Sequence, residues 1–260
     1  MTNRPPGTPG RFLLASALAL GASAPVFAFA DPNGGTVSGS VSLASPQERG
    51  EPPVTSEGFV PRARNPLKAP VAFDPRPQLV AVLVGGNAEP GDTKPPGSPV
   101  RFKIIGESFE ADILPVVVGS KVEFRNEGRN SPRLYSPDND GFVPGDPISP
   151  KGRRDTVEID TPLKAYEIRD RESAHLSSRV VAFPHKYFST IGADGSFEIP
   201  DVSPGEWKLR FWYRDGWVEM PQESVTVTAK RATKLKPVAI PGRIARAAPT
   251  QAAPTQAVPK

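Results

Sequence analysis

Turn-forming residues interrupt this chain so often that the apolar runs between them suit strands and leave no room for a long amphipathic helix. Its 260 residues include 33 prolines and 23 glycines, and between these breaks Val, Ile, Thr, Phe, Tyr and Trp gather in runs of strand length. The chain has no cysteine, so it has neither a disulfide framework nor a thiolate to offer a metal. The expected fold class is all-β, with sandwiches stabilised by buried apolar surface alone.

Residues 1–30 have the pattern of an export signal: Arg4 and Arg11 precede an apolar stretch from Phe12 to Leu20, and Ala28 and Ala30 flank Phe29. Cleavage after Ala30 would leave Asp31 first. Gly21 and Pro25 break the apolar run, and no later segment approaches the about 20 apolar residues of a spanning helix. These features predict a periplasmic or secreted protein with no integral membrane segment. Without a cysteine near the cleavage site, lipid attachment there is excluded. About 230 mature residues suffice for one or two domains. The signal removes two arginines and no acid, taking the net charge from +4 to +2. The remaining cations are scattered among acids, which argues against a nucleic-acid partner.

Thr36 to Leu43 alternates Val37, Gly39, Val41 and Leu43 against Ser and Thr, the period of a half-buried strand. Leu79 to Val84 is a second strand, almost wholly apolar. Pro46 to Gln78, rich in proline and in both charge signs, predicts a surface excursion with an edge strand near Val71 to Phe73. After a further break from Glu89 to Pro99, strands are predicted at Val100 to Ile105, Ile113 to Val118, Lys121 to Arg125, Asp155 to Ile159 and Arg179 to Phe183, with Gly119 and Ser120 as a tight turn. Val157 and Ile159 are expected on a core face, as are Val122 and Phe124.

In the C-terminal third, Asp194-Gly195 predicts a type I′ turn leading into Phe197 to Ile199. Further strands are expected at Trp207 to Tyr213, Val225 to Thr228 and Lys234 to Ile240. The end of the chain, 242–260, is dominated by Ala, Pro, Thr and Gln with APTQA twice, a composition that predicts disorder.

The stretch FEADILPVVVGSKVEFRNEG, Phe109 to Gly128, resembles the strand-turn-strand entry of plastocyanin-like cupredoxins of exported bacterial proteins, some of them methylamine-utilisation-like. The resemblance implies a Greek-key sandwich over 98–183. Counting from its strands, the family's first His ligand falls on Pro132, with Leu134, Tyr135 and Ser136 continuing the strand, and its Cys, His and Met fall on Asp170, Ser173 and Leu176. A blue-copper centre needs a thiolate and two imidazoles, so the family's cofactor and its electron-transfer role are not carried over. DGSFEIPDVSPGEWKLRFWY, Asp194 to Tyr213, resembles the carboxypeptidase regulatory-like, or prealbumin-like, sandwich, whose opening strand matches Val37 to Val41. The resemblance implies that the cupredoxin-like domain is inserted into, or joined to, a second sandwich made from 36–85 and 184–241.

Candidate sites are sparse. His175, with Asp170 and Glu172, supplies donors for a non-blue copper or zinc site, and reads equally as an ordinary polar loop. Asp170, Ser173 and His175 have the residue types of a hydrolytic triad, but one short loop does not converge them. Asp138, Asp140 and Asp146 offer hard oxygen ligands for calcium without the spacing of an EF-hand. His185 reads as a connector residue. On the strand Trp207 to Tyr213 one face is apolar, while Arg210, Trp212 and Arg214 fall on the other. Trp212 there predicts either contact with a glycan or protein partner or packing on the neighbouring domain, and Trp217, in the loop Asp215-Gly216-Trp217, is the more exposed candidate for such a partner. The sequence thus predicts a non-enzymatic protein without a cofactor, partnered by an envelope protein or polysaccharide, with metal handling and carbohydrate binding as the alternatives.

Overall fold

A computed structural model describes residues 33–43, 74–86, 88, 92–241 and 246–247. The predicted signal, the expected edge strand near Val71 and most of the C-terminal tail lie outside these residues. In chain order the strands are β1 (Gly35–Leu43) and β2 (Leu79–Val84), then β3 (Val100–Ile105), β4 (Ser108–Phe109), β5 (Ile113–Val117), β6 (Val122–Asn126), β7 (Leu134–Tyr135), β8 (Arg153–Asp155), β9 (Ala165–Asp170) and β10 (Ser177–Phe183). They are followed by β11 (Phe188–Thr190), β12 (Ser196–Val202), β13 (Gly205–Tyr213), β14 (Gly216–Val218), β15 (Glu223–Val227), β16 (Ala232–Lys234), β17 (Val238–Ile240) and β18 (Arg246–Ala247). A single 3-10 turn at Arg76–Gln78 is the one helical element among the described residues. The fold is all-β.

Four sheets form. The first has the order β12-β1-β16 with β17 also on β1, and the second runs β11-β2-β13-β14-β18 with β15 on β13. The third is β5-β10-β9-β7 and the fourth β4-β3-β6-β8. Strands β1 and β2 therefore pair with strands that follow β10, and everything from β3 to β10 pairs only within the third and fourth sheets. Gly39 lies opposite Phe197 across β1 and β12, and a Cβ there would meet the Phe197 ring at 2.7 Å, so only glycine permits this approach.

The cores show how the sheets stack. Val37, Phe197, Ile199, Leu79, Leu83, Leu209 and Phe211 fill the space between the first and second sheets. Phe102, Phe124, Leu114, Val116, Ile168 and Val180 fill that between the third and fourth. A third cluster, Val80, Val82, Ile113, Val181, Phe183, Trp212 and Trp217, joins the second sheet to the third. The molecule is two sandwiches in face-to-face contact, four layers with three apolar seams. The unbroken apolar run of β2 now has its reason: Leu79, Ala81 and Leu83 face one seam and Val80 and Val82 the next, so neither face of the strand meets water.

Several local expectations are corrected. The strand expected at Asp155 to Ile159 ends at Asp155, because the Thr156 hydroxyl takes the Val122 N–H at 3.0 Å and ends the ladder. Val157 is consequently 49% exposed. Gly119 and Ser120 do turn, with Gly119 at φ +86, but β5 and β6 belong to different sheets. The turn crosses the sandwich and makes no hairpin. Asp194-Gly195 likewise links β11 in the second sheet to β12 in the first. Gly195 alone there has positive φ, while the Asp194 carboxylate accepts from the Ser196 N–H and hydroxyl, so the turn is not type I′. Pro237 divides the last predicted strand into β16 and β17. Within the tail expected to be disordered, Arg246–Ala247 pairs with β14.

Candidate functional site

The loop end of the inserted sandwich carries the positions that the cupredoxin resemblance aligns with copper ligands, and they do not fit the ion. Pro132 and Leu176 have no donor atom and are buried. Asp170, at the thiolate position, accepts the Arg133 N–H at 2.6 Å and the Ser173 N–H at 3.0 Å. Its two oxygens are thus spent on backbone, one bond to each of the loops that a metal would bridge. Alternation along β9 explains the placement. Tyr166 and Ile168 point into the seam, and Asp170 follows them inward at the strand's end, 6% exposed. The bonds it accepts offset the desolvation of a buried carboxylate.

His175 and Glu172 do not join it. The His175 imidazole stands in solvent 3.3 Å from Glu107, and Glu172 is exposed. The triad types do not assemble either, since Ser173 meets Asp170 through its backbone N–H. Asp138, Asp140 and Asp146 are exposed, with Asp146 turned toward Arg154 at 3.9 Å. Among the described residues no three His, Cys, Asp or Glu side chains are grouped to hold a metal ion, which corrects both the transition-metal and the calcium candidates.

Of the two readings of Trp212, packing on the neighbouring domain is the one the structure supports, and the exposed placement expected of Trp217 is corrected. Trp212 is fully buried and Trp217 nearly so. Their rings meet at 5.1 Å, edge to face, and each lies against Phe183 of the inserted sandwich. Arg210 stacks on Trp217 at 4.3 Å, and Arg214 donates to the Gln78 side chain at 2.6 Å. The two rings build the seam between the sandwiches and Arg210 covers one of them, leaving no ring face for a glycan. The alternation of β13 identified the face, but whether water or another sheet covers it depends on β5 and β10.

A buried polar cluster lies where the chain leaves and re-enters the split sandwich. Asp92 precedes β3, His185, Lys186 and Tyr187 follow β10, and Ser203 sits between β12 and β13. The Tyr187 hydroxyl donates to Asp92 and lies 2.6 Å from the Ser203 hydroxyl. Ser203 also donates to Asp92 at 3.0 Å, and the Lys186 ammonium sits 2.9 Å from its other oxygen. Burial pushes the Asp92 carboxyl up, but the bonds from Tyr187, Lys186 and Ser203 outweigh it and hold the group below the usual carboxylate range. Burial and the bond to Asp92 push the Tyr187 hydroxyl well above its ordinary value, so it remains a neutral donor. The cluster ties both connecting segments to the turn by which the chain crosses from β12 in the first sheet to β13 in the second, and so fixes how the inserted domain is held.

His185 belongs to this cluster and is no simple connector. Its ring lies 5.3 Å from Tyr187 and 6.0 Å from Trp207, and its Nδ1 accepts the Tyr187 N–H at 3.3 Å. Burial lowers its affinity for a proton below the ordinary 6.5, with Asp92 opposing. The unfolded chain therefore binds the proton more readily, and stability is complete above pH 6.5 and declines as pH falls toward the lower folded value. The expected loss is at most about 1.4 kcal/mol per pH unit. Urea midpoints of wild type and His185→Gln, compared at about pH 7.5 and 5.5, check this: the variant should lose less stability on acidification, and an unchanged slope would contradict it.

Sequence reasoning missed Asp92, Tyr187 and Ser203 as a set. Each is an ordinary residue in its own neighbourhood, Asp92 within a Pro/Gly-rich break, and no local pattern links positions so far apart.

In comparison with protein families, residues 171–235 fit the model of polysaccharide lyase family 4, domain II. It spans a quarter of the chain and supports a β-sandwich domain of that type. It runs from the hairpin between β9 and β10 through β13 to β16, across the seam at Phe183. No curated protein matches the chain.

Proposed function

We propose that the protein is an exported, non-catalytic component of the bacterial envelope, a binding or structural protein whose inserted domain is a cupredoxin-like sandwich without copper. The observation that carries this reading is the Asp170 carboxylate, bonded to the Arg133 and Ser173 N–H groups at the position the resemblance gives to the copper thiolate. A side chain there does the cross-linking that an ion does in the family. The pattern of residues 1–30 supports export, and the buried seam at Trp212 supports a rigid frame that presents loops to a partner.

Asp170→Ala is expected to lower stability by about 1–3 kcal/mol by stranding two N–H donors. Wild type should take up no stoichiometric copper or zinc. Thermal melting of the variant and elemental analysis after copper titration check both. One bound ion per chain, or a melting point unmoved by the substitution, would overturn the proposal.

A second reading, a carbohydrate-binding accessory protein, is favoured by the match to a domain of a polysaccharide lyase family. A glycan array on the full-length protein tests it, and an array without a binding glycan would remove it.

A further inference from the structure

The outer face of the third sheet is covered by the split sandwich at one end only. Ile113, Val181 and Phe183 lie in the seam, while the strands continue past it toward the loop end. There, Tyr135 lies opposite Arg169 across β7 and β9, and the next pair is closed by the Arg171 N–H on the Arg133 carbonyl at 3.0 Å. Since Leu134, Ile168 and Asp170 point inward and are buried, alternation sends Arg133, Tyr135, Arg169 and Arg171 outward together. Arg133, Arg169 and Arg171 are exposed and Tyr135 is half-buried. The Arg171 guanidinium stacks over the Tyr135 ring at 4.9 Å, which holds its fork in place.

Farther along the same face, Glu167 is held by Arg169 and Arg179, each at 3.1 Å. The protein's own carboxylate thus occupies the space between two of these arginines. Arg133 and Arg171 have the same side chain on neighbouring strands, and among the described residues no carboxylate lies within 4.0 Å of either guanidinium. Asp170 reinforces the arrangement by fixing the Arg133 N–H from beneath.

We infer that Arg133, Tyr135, Arg169 and Arg171 form a binding strip for a carboxylated polysaccharide. It rests on the carbohydrate-binding reading and gives it a place and a ligand class. Guanidinium forks match carboxylates bidentately, and a tyrosine ring beside them gives a sugar face an apolar support. Glu167 lowers the field within the strip, which disfavours a dense polyphosphate. Apart from the tyrosine the strip has no apolar centre of the kind that anchors protein partners.

The test is affinity electrophoresis of the full-length protein through gels containing alginate, carboxyl-reduced alginate, dextran sulfate or single-stranded DNA. Retardation by alginate alone is expected, weakening as salt rises. Arg133→Gln with Arg171→Gln should weaken it by roughly tenfold or more, whereas Arg153→Gln on the fourth sheet should not; melting curves would confirm that both variants are folded. Equal retardation by DNA or dextran sulfate would reduce the strip to general polyanion attraction and overturn the inference. So would alginate binding that the double substitution leaves unchanged, or the absence of alginate binding. In that last case binding of neutral glycans on the array would still leave the broader carbohydrate reading standing.

Discussion

Trp212→Ala is expected to destabilise the protein by about 3–5 kcal/mol and to separate the unfolding of its two sandwiches. The indole is fully buried, meets Phe183 at 5.8 Å and Trp217 at 5.1 Å, both edge to face, and donates to the Arg214 carbonyl at 3.0 Å. Truncation leaves a void between two sheets from different domains. Neither sheet closes it without moving a whole sandwich, so relaxation recovers little. Urea unfolding followed by circular dichroism should replace one transition by two, because the split and inserted sandwiches each retain an apolar core of their own. Trp212→Phe, which keeps a ring in the seam, should recover much of the loss. A cost for alanine below about 1 kcal/mol, or a single cooperative transition, would contradict the seam as the coupling element.

Asp92→Ala should have a comparable cost, about 3–5 kcal/mol, for a different reason. The carboxylate is the common acceptor for the Tyr187 and Ser203 hydroxyls and the partner of the Lys186 ammonium. Removing it leaves buried donors facing a cavity and takes from Lys186 the carboxylate 2.9 Å from its ammonium. Asp92→Asn, which keeps an acceptor oxygen, should lose less. The two variants also differ from wild type in acid. The folded carboxyl is held below its ordinary 3.8, so its contribution is fully present above that pH and is lost as pH falls through the lower folded value. Urea midpoints at decreasing pH should show this acid-linked loss in wild type and not in the asparagine variant. The same loss in both would assign it to another group.

The positions of most strands were legible because each strand writes its own burial into its residues. β2, β3 and β13 fall within a residue or two of where apolar runs and turn residues place them. β9 and β11 were not legible. Ala165–Asp170 mixes charged residues with the three that face the core, and Phe188–Thr190 is too short to show a period. The expected turns at Gly119 and Gly195 occur between the strands that flank them, but which sheets they join was not legible, because a turn residue records a backbone angle and not the sheet on either side.

What the chain alone determined was composition-bound chemistry: an all-β fold from its spacing of prolines and glycines, and the exclusion of a thiolate metal centre from the lack of cysteine. Only the tertiary structure decided which polar and aromatic residues are available to a partner. Trp212 and Trp217 look outward on their own strands and are covered by β5 and β10 from the other sandwich. Arg133 and Arg171, unremarked in the sequence, come together because β7 pairs with β9 beyond the edge of that cover. Exposure is a property of how sheets stack over one another, and stacking is set by contacts between residues a hundred positions apart, which no local pattern encodes.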